Sequence, residues 1–212
     1  MANEWYRRKV WAKDDENEFF AKLKRSRTNF HRSQYLFIQA LTLVETKKSK
    51  LIDVAERLLN IYLTEYHDEY FHKSSVYNML GDIYKAKKNE TKAIEFYKLS
   101  VEEDIKSKTH TYSYINYSES VVRNKKVEQY DFVVKILKEK LEEGCIIFPI
   151  HFYKIYTILA ILSKIKNNIE EATEYINLSR KYSEMETSGL RYHKYLGIVK
   201  KDDKNFLKQY IK

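Results

Sequence analysis

Glycine, proline and cysteine are nearly missing from this chain: 212 residues hold 4 Gly, 1 Pro and 1 Cys. So little turn chemistry excludes the many tight hairpins an all-β protein of this length needs, and leaves helices joined by short polar connections. The four glycines, Gly81, Gly144, Gly189 and Gly197, cannot spell a dinucleotide fingerprint or a phosphate-cradling loop. The lone Cys145 excludes an intramolecular disulfide and a cysteine-based structural zinc site. No apolar run approaches the ~20 residues of a membrane helix, because the stretch from Tyr156 to Leu162 is bounded by Lys154 and Lys164. The first residues, from Met1 to Arg8, lack the apolar core of a secretion signal, so a cytoplasmic protein is expected.

What is present is a chain that folds. Hydrophobic residues make up 43% and charged residues 33%, too apolar for disorder yet charged enough for solvated helix faces. Net charge is +9, from 39 basic and 30 acidic residues. The excess is spread along the chain and often lies beside acids, as in Lys135, Lys138, Glu139, Lys140, Glu142 and Glu143, which is the pattern of solvated helices.

One segment carries a distinct period. Tyr77, Leu80 and Tyr84 recur every three or four residues and form one face of a helix, and Ala93, Tyr97 and Ser100 do so on a second. Gly81 and Ala93 are small where two paired helices would otherwise collide, and Lys87-Lys88-Asn89-Glu90 supplies a polar turn. The order Tyr77, Leu80, Gly81, Tyr84, Ala93, Tyr97 resembles the tetratricopeptide repeat. The skeleton returns elsewhere. Gly81 and Ala93 are twelve residues apart, as are Ala160 and Ala172, and Ser118 and Tyr130, the last with a large residue in the second slot. Tyr156, Leu159, Ile176 and Ser179 accompany Ala160 and Ala172, with a turn at Lys166-Asn167-Asn168. Upstream, Leu36, Ala40 and Leu43 followed by Ala55, Leu59 and Tyr62 fit if the turn from Glu45 to Lys50 is about three residues longer than usual. Downstream, Tyr195-Leu196-Gly197 opens a last hairpin whose second helix runs from Lys204 to Tyr210. The small slots 40, 81, 118, 160 and 197 are spaced by 41, 37, 42 and 37, all longer than the ~34 of the standard repeat.

The resemblance implies an all-α, right-handed α-solenoid of about five antiparallel helical hairpins behind an N-terminal capping helix. Residues 1–32 form the basic, aromatic cap, with Asp14, Asp15 and Glu16 as the acidic first turn of a helix ending near Arg27. Residues 33–212 form the array, in units 33–66, 74–107, 111–143, 150–184 and 189–212.

In the tetratricopeptide family the first helix of each hairpin lines the concave surface. Carried across by register, that face comprises Ser75, Asn78, Asp82 and Lys85, then Tyr112, Ile115 and Glu119, then Lys154, Thr157, Ile161 and Lys164, then Arg191 and Lys194. Some members grip a terminal carboxylate with a clamp of lysine, arginine and asparagine. Asn78 occupies one such slot, but Asp82 one turn on would repel a carboxylate, which disfavours that ligand.

Little points to catalysis. His67 and His72 are five apart and do not share a helix face as metal ligands four apart would. Cys145, beside Ile146, Ile147 and Phe148, reads as a small buried hydrophobe; a thiol nucleophile served by His151 is the weaker alternative. Neighbouring carboxylates at Glu102-Glu103-Asp104 and Asp68-Glu69 point apart on a helix and read as solvated faces or helix ends. The sequence therefore predicts a non-enzymatic protein-interaction module without cofactor or metal. Its partner is a protein or peptide, and its role that of an adaptor, regulator or immunity-type inhibitor. The competing reading is a helical-repeat RNA or DNA binder using Arg7, Arg8, Lys9, Lys22, Lys24, Arg25 and Arg27 with the lysine-rich C-terminal hairpin.

Overall fold

The computed structural model describes residues 4–69, 71–109, 111–146, 148–201 and 203–204. Among them are nine α-helices, one short 3-10 turn (Val127–Gln129) and no strand. The chain divides into two compact units, one running to Ser113 and one starting at Tyr114. The first holds α1 (Lys13–Lys24), α2 (Asn29–Glu45), α3 (Ser49–Glu65), α4 (Lys73–Ala86) and α5 (Glu90–Ser107). From the boundary onward come α6 (Ser113–Arg123), α7 (Tyr130–Glu142), α8 (Pro149–Ile165) and α9 (Ile169–Ser183). Within the units α2 packs on α3, α4 on α5 and α8 on α9, so the neighbouring-hairpin pattern is that of a helical repeat.

The repeat is written into the backbone as well as the side chains. Lys47, Lys88, Lys125 and Asn167 all have positive φ, between 52° and 60°, and each lies in the turn between the helices of a hairpin. Their spacings of 41, 37 and 42 equal those of the small slots Ala40, Gly81, Ser118 and Ala160. One turn geometry is therefore used in every hairpin, in the left-handed region that closes a helix C-terminus. In three of the four turns the next helix starts on a short residue-long pause after that position. Two of them place Asn89 and Asn168 there, whose side-chain oxygens accept from Lys92 N and Glu171 N at the following helix's N-terminus.

This register corrects the expected long turn between α2 and α3. The connection from Glu45 to Ser49 is as short as that from Ala86 to Glu90. The slot equivalent to Ala93 is then Ile52, and Ala55, although fully buried, lies about one helical turn beyond it.

The small slots do lie in the core. Ala40, Ala55, Ala93, Ala160 and Ala172 are all buried. Gly81 is packed beneath the ring of Tyr97, so a Cβ there would collide with that fully buried side chain. Ser118 and Tyr130 are also buried, and the Tyr117 hydroxyl joins this hairpin by donating to Gln129 Oε1 at 2.7 Å. A second shared feature is a hydrogen bond between paired helices. Ser100 donates its hydroxyl to the carbonyl of Ser74 at 2.7 Å, and Ser179, 79 residues on, donates to the carbonyl of Tyr153 at 3.4 Å.

At the amino end α1 stops at Lys24, short of Arg27. Phe19 and Leu23 are buried, and Trp5, Tyr6, Trp11 and Phe20 pack around the same core as α2, α3 and α4. Arg57 on α3 donates to both oxygens of Glu16 at 3.0 and 2.7 Å, so α1 is pinned to the hairpin as well as packed on it.

The fifth hairpin is corrected too: residues 184–201 contain no helix. Gly197 has a φ of 72°, left-handed and incompatible with opening a helix. Its carbonyl accepts from Ile150 N at 2.8 Å, and a Cβ on it would lie 2.5 Å from Phe148. The segment thus returns to the start of α8 and satisfies one of the amide donors a helix N-terminus leaves open. The second helix expected there, from Lys204 to Tyr210, lies outside the described residues apart from Lys204.

Candidate functional site

In the first unit the face carried by Ser75, Asn78, Asp82 and Lys85 runs along α4; Asp82 is exposed and the other three are half-buried. Asp82 is fixed from below, accepting from the Tyr97 hydroxyl at 2.7 Å. The helix is anchored to α3 through Glu56, which accepts from Tyr84 Oη and Lys87 Nζ, each at 2.5 Å, while Lys87 also meets Asp53. Burial works to raise the Glu56 carboxyl, but the hydrogen bonds from Lys87 and Tyr84 outweigh it and hold it below the usual range. Tyr112, near the end of this unit, is half-buried.

In the second unit the corresponding residues are not all on a free face. Ile115, Thr157 and Ile161 are buried, and Glu119 is 8% exposed. Thr157 donates to the Tyr153 carbonyl at 2.6 Å and bonds the Ser179 hydroxyl at 2.9 Å, which makes it part of the α8/α9 interface. Glu119 accepts from Arg123 and from Lys154, at 2.9 and 3.3 Å. A register carried over from a family resemblance does not say how much of a helix face neighbours cover. Lys164, Arg191 and Lys194 are exposed, and Arg191 lies 5.3 Å from the centre of the Tyr192 ring.

The basic N-terminal set divides in two. Arg8 bridges Asp15 and Glu18 at 2.6 and 2.5 Å, Lys22 meets Glu18 at 2.7 Å, and Arg7 meets Glu4 at 2.8 Å. Hydrogen bonds from Lys22 and Arg8 hold Glu18 down at about 2. Lys9, Lys24, Arg25 and Arg27 are exposed. Trp5, Tyr6 and Trp11, which a nucleic-acid reading needs for stacking, instead contact one another and the core, with Trp5 and Tyr6 both meeting Tyr35.

The residues weighed for chemistry do not converge. His67 is exposed beside Asp68, whereas His72 stacks on Phe37 with ring centres 4.6 Å apart, and its burial lowers its pKa. No group of three metal-binding side chains forms among the described residues. Cys145, expected to be buried, is exposed in the turn after α7. His151 lies in the first turn of α8, where burial, with Lys154 nearby, pushes it down to about 4.

A feature that sequence reasoning missed is a cleft of about 520 Å³ in the first unit. His67 and Asp68 from the α3–α4 connection, Lys73 from the start of α4, and Glu103, Lys106 and Ser107 from the end of α5 line it. The overlooked signal is a register position: Glu103 falls 41 residues after Tyr62 and 79 before Tyr182, so a carboxylate stands in a slot that two other hairpins give to an aromatic ring.

Comparison with known families gives one match: residues 74–104 fit the model described as Tetratricopeptide repeat. No curated protein and no solved structure gives a significant match. The matched residues are the α4/α5 hairpin, whose turn and interhelical hydrogen bond recur in α8/α9, so this hairpin is similar to a tetratricopeptide repeat within an all-helical chain of paired helices.

Proposed function

We propose that the chain is a non-enzymatic interaction module, an adaptor, regulator or inhibitor that holds a protein or peptide partner, located in the cytoplasm. Tetratricopeptide repeats are typically scaffolds for protein binding, and the matched hairpin carries this reading: its first helix keeps Ser75, Asn78, Asp82 and Lys85 on one side, none of them fully buried. The face is short on apolar area and mixed in charge, which suits a polar peptide or folded surface better than a hydrophobic helix. The anchoring of α4 through Glu56, Tyr84 and Lys87 supports a preformed site, so binding would cost little ordering of the receptor.

The test is affinity capture with the wild-type chain and with a Ser75→Arg, Lys85→Glu double variant, after nuclease treatment, with circular dichroism to verify that helix content is retained. A protein that the wild type captures should be lost, or bound at least about tenfold more weakly, by the variant. If every captured protein binds both forms equally, the α4 face is not the site. If retention depends on nucleic acid and disappears with nuclease, the competing nucleic-acid reading takes its place.

A further inference from the structure

Glu102, Glu103 and Asp104 are consecutive acids near the end of α5, and they have three different fates. Glu102 is exposed and pairs with Lys98 one turn back. Asp104 is buried and saturated, accepting from Thr109 at 2.7 Å, from Ser113 at 3.1 Å and from Thr111. Glu103 is also buried, with 9% of its surface exposed, yet its carboxylate has no hydrogen bond or ion pair among the described residues. Its oxygens are not among the side-chain atoms sealed from solvent without a partner, so the unpaired carboxylate is reachable from the cleft that Glu103 lines.

Position in the repeat sharpens the anomaly. The equivalent slot is Tyr62 in α3, Lys140 in α7 and Tyr182 in α9. Tyr62 is fully buried and its hydroxyl donates to the Glu69 carbonyl at 2.6 Å; Lys140, the other charged occupant, is paired with Glu143 at 2.8 Å. Glu103 alone of the four is both charged and unpaired among the described residues. A shorter side chain where a ring could stand leaves room, and the cleft opens there.

We infer that this cleft is a receptor for a basic side chain, taking the ammonium or guanidinium of a lysine or arginine in a partner peptide with Glu103 as its counterion. The sign follows from burial. Lys106 is exposed, and Lys73 is partly solvated with its ammonium committed to the His67 carbonyl at 3.2 Å, so water and salt screen both. Glu103 is the one charged lining residue that is nine-tenths buried, so its carboxylate is less screened than the rim lysines. Its charge also reaches the hydroxyls of Tyr62 and Tyr77, helping burial raise both. Lys73 and Lys106 on the rim would favour an acidic residue flanking the bound cation. The inference depends on the interaction-module reading only for the source of that cation, a peptide.

The experiment is a titration of the full chain, followed by amide nitrogen–proton NMR, with acetyl-Gly-Arg-Gly-amide, its citrulline isostere and methylguanidinium. The arginine peptide should give saturable shifts at residues 67–73 and 103–107, with citrulline at least about tenfold weaker. Glu103→Gln should abolish the difference and Glu102→Gln should keep it. Melting temperature gives an independent readout: Glu103→Gln should not lower it, and Glu103→Tyr, the residue of the equivalent slots, should raise it while ending arginine binding. Equal binding of arginine and citrulline peptides, or retention of the preference in Glu103→Gln, overturns the site. Methylguanidinium binding as tightly as the arginine peptide overturns the peptide source. Should the cleft fail while a partner is still captured through α4, the interaction reading stands without it.

Discussion

The α4/α5 and α8/α9 hairpins are the same device made with different residues. Both have a left-handed residue in the turn, at Lys88 and Asn167, an asparagine cap at Asn89 and Asn168, and a serine hydroxyl on the second helix bonded to a carbonyl of the first. They differ at the crossing. The first sets Gly81 under the ring of Tyr97; the second sets Ala160 in the small slot and Ile176 in the position of Tyr97. The first matches the tetratricopeptide model, at residues 74–104. Turn and hydrogen bond hold the architecture, then, while the glycine–ring contact is one of several ways to fill the space between helices.

Three perturbations test that division. The largest effect belongs to the crossing: Gly81→Leu drives a branched side chain into a fully buried ring and should cost about 3 kcal/mol, lowering the melting temperature by several degrees. Ala160→Leu, with a Cβ already accommodated, should cost less in the same thermal scan; equal losses would mean the two crossings are alike. Next comes the shared hydrogen bond. Ser100→Ala and Ser179→Ala should each cost about 1 kcal/mol in denaturant melts, with Ser100 the larger because its bond to the Ser74 carbonyl is 2.7 Å against 3.4 Å for Ser179 to Tyr153. A neutral outcome at both sites would show the bond to be a passenger of packing. The smallest effect is at the turns. Lys88→Gly should stabilise by about 0.5–1 kcal/mol, and Asn167→Gly by less, because asparagine tolerates left-handed backbone better than lysine. A loss of stability on Lys88→Gly would mean that the lysine charge near the end of α4 outweighs the backbone strain.

Much of this was legible in the sequence, because small residues at helix crossings are dictated by the distance between axes. The spacing of Ala40, Gly81, Ser118 and Ala160 reappears unchanged in the backbone of the turns. Expectation and structure part where a residue type matches without its physical role. Ala55 was the nearest small residue to the expected slot, but Ile52 occupies it, since a hairpin with enough clearance does not demand alanine there. Tyr195-Leu196-Gly197 looked like Leu80-Gly81, but Gly197 is left-handed and closes on α8. The face of Ser75, Asn78, Asp82 and Lys85 rests on the family resemblance and not on the period, and the burial of Ile115, Thr157 and Ile161 depends on tertiary packing that neither encodes. The Glu103 cleft was hidden because three adjacent acids look alike in a sequence and are separated only by burial and by the partners that reach them.

The lysines at three of the hairpin bends have a consequence for how the molecule comes apart. Lys47, Lys88 and Lys125 are exposed and sit where the chain reverses direction, so trypsin finds its preferred residue at the tip of one hairpin after another. A cut there removes the covalent tether but none of the interlocking surface, and the severed helices remain clasped by rings such as Tyr97 seated over Gly81. Such a chain can be nicked between the two helices of a hairpin before it is unfolded.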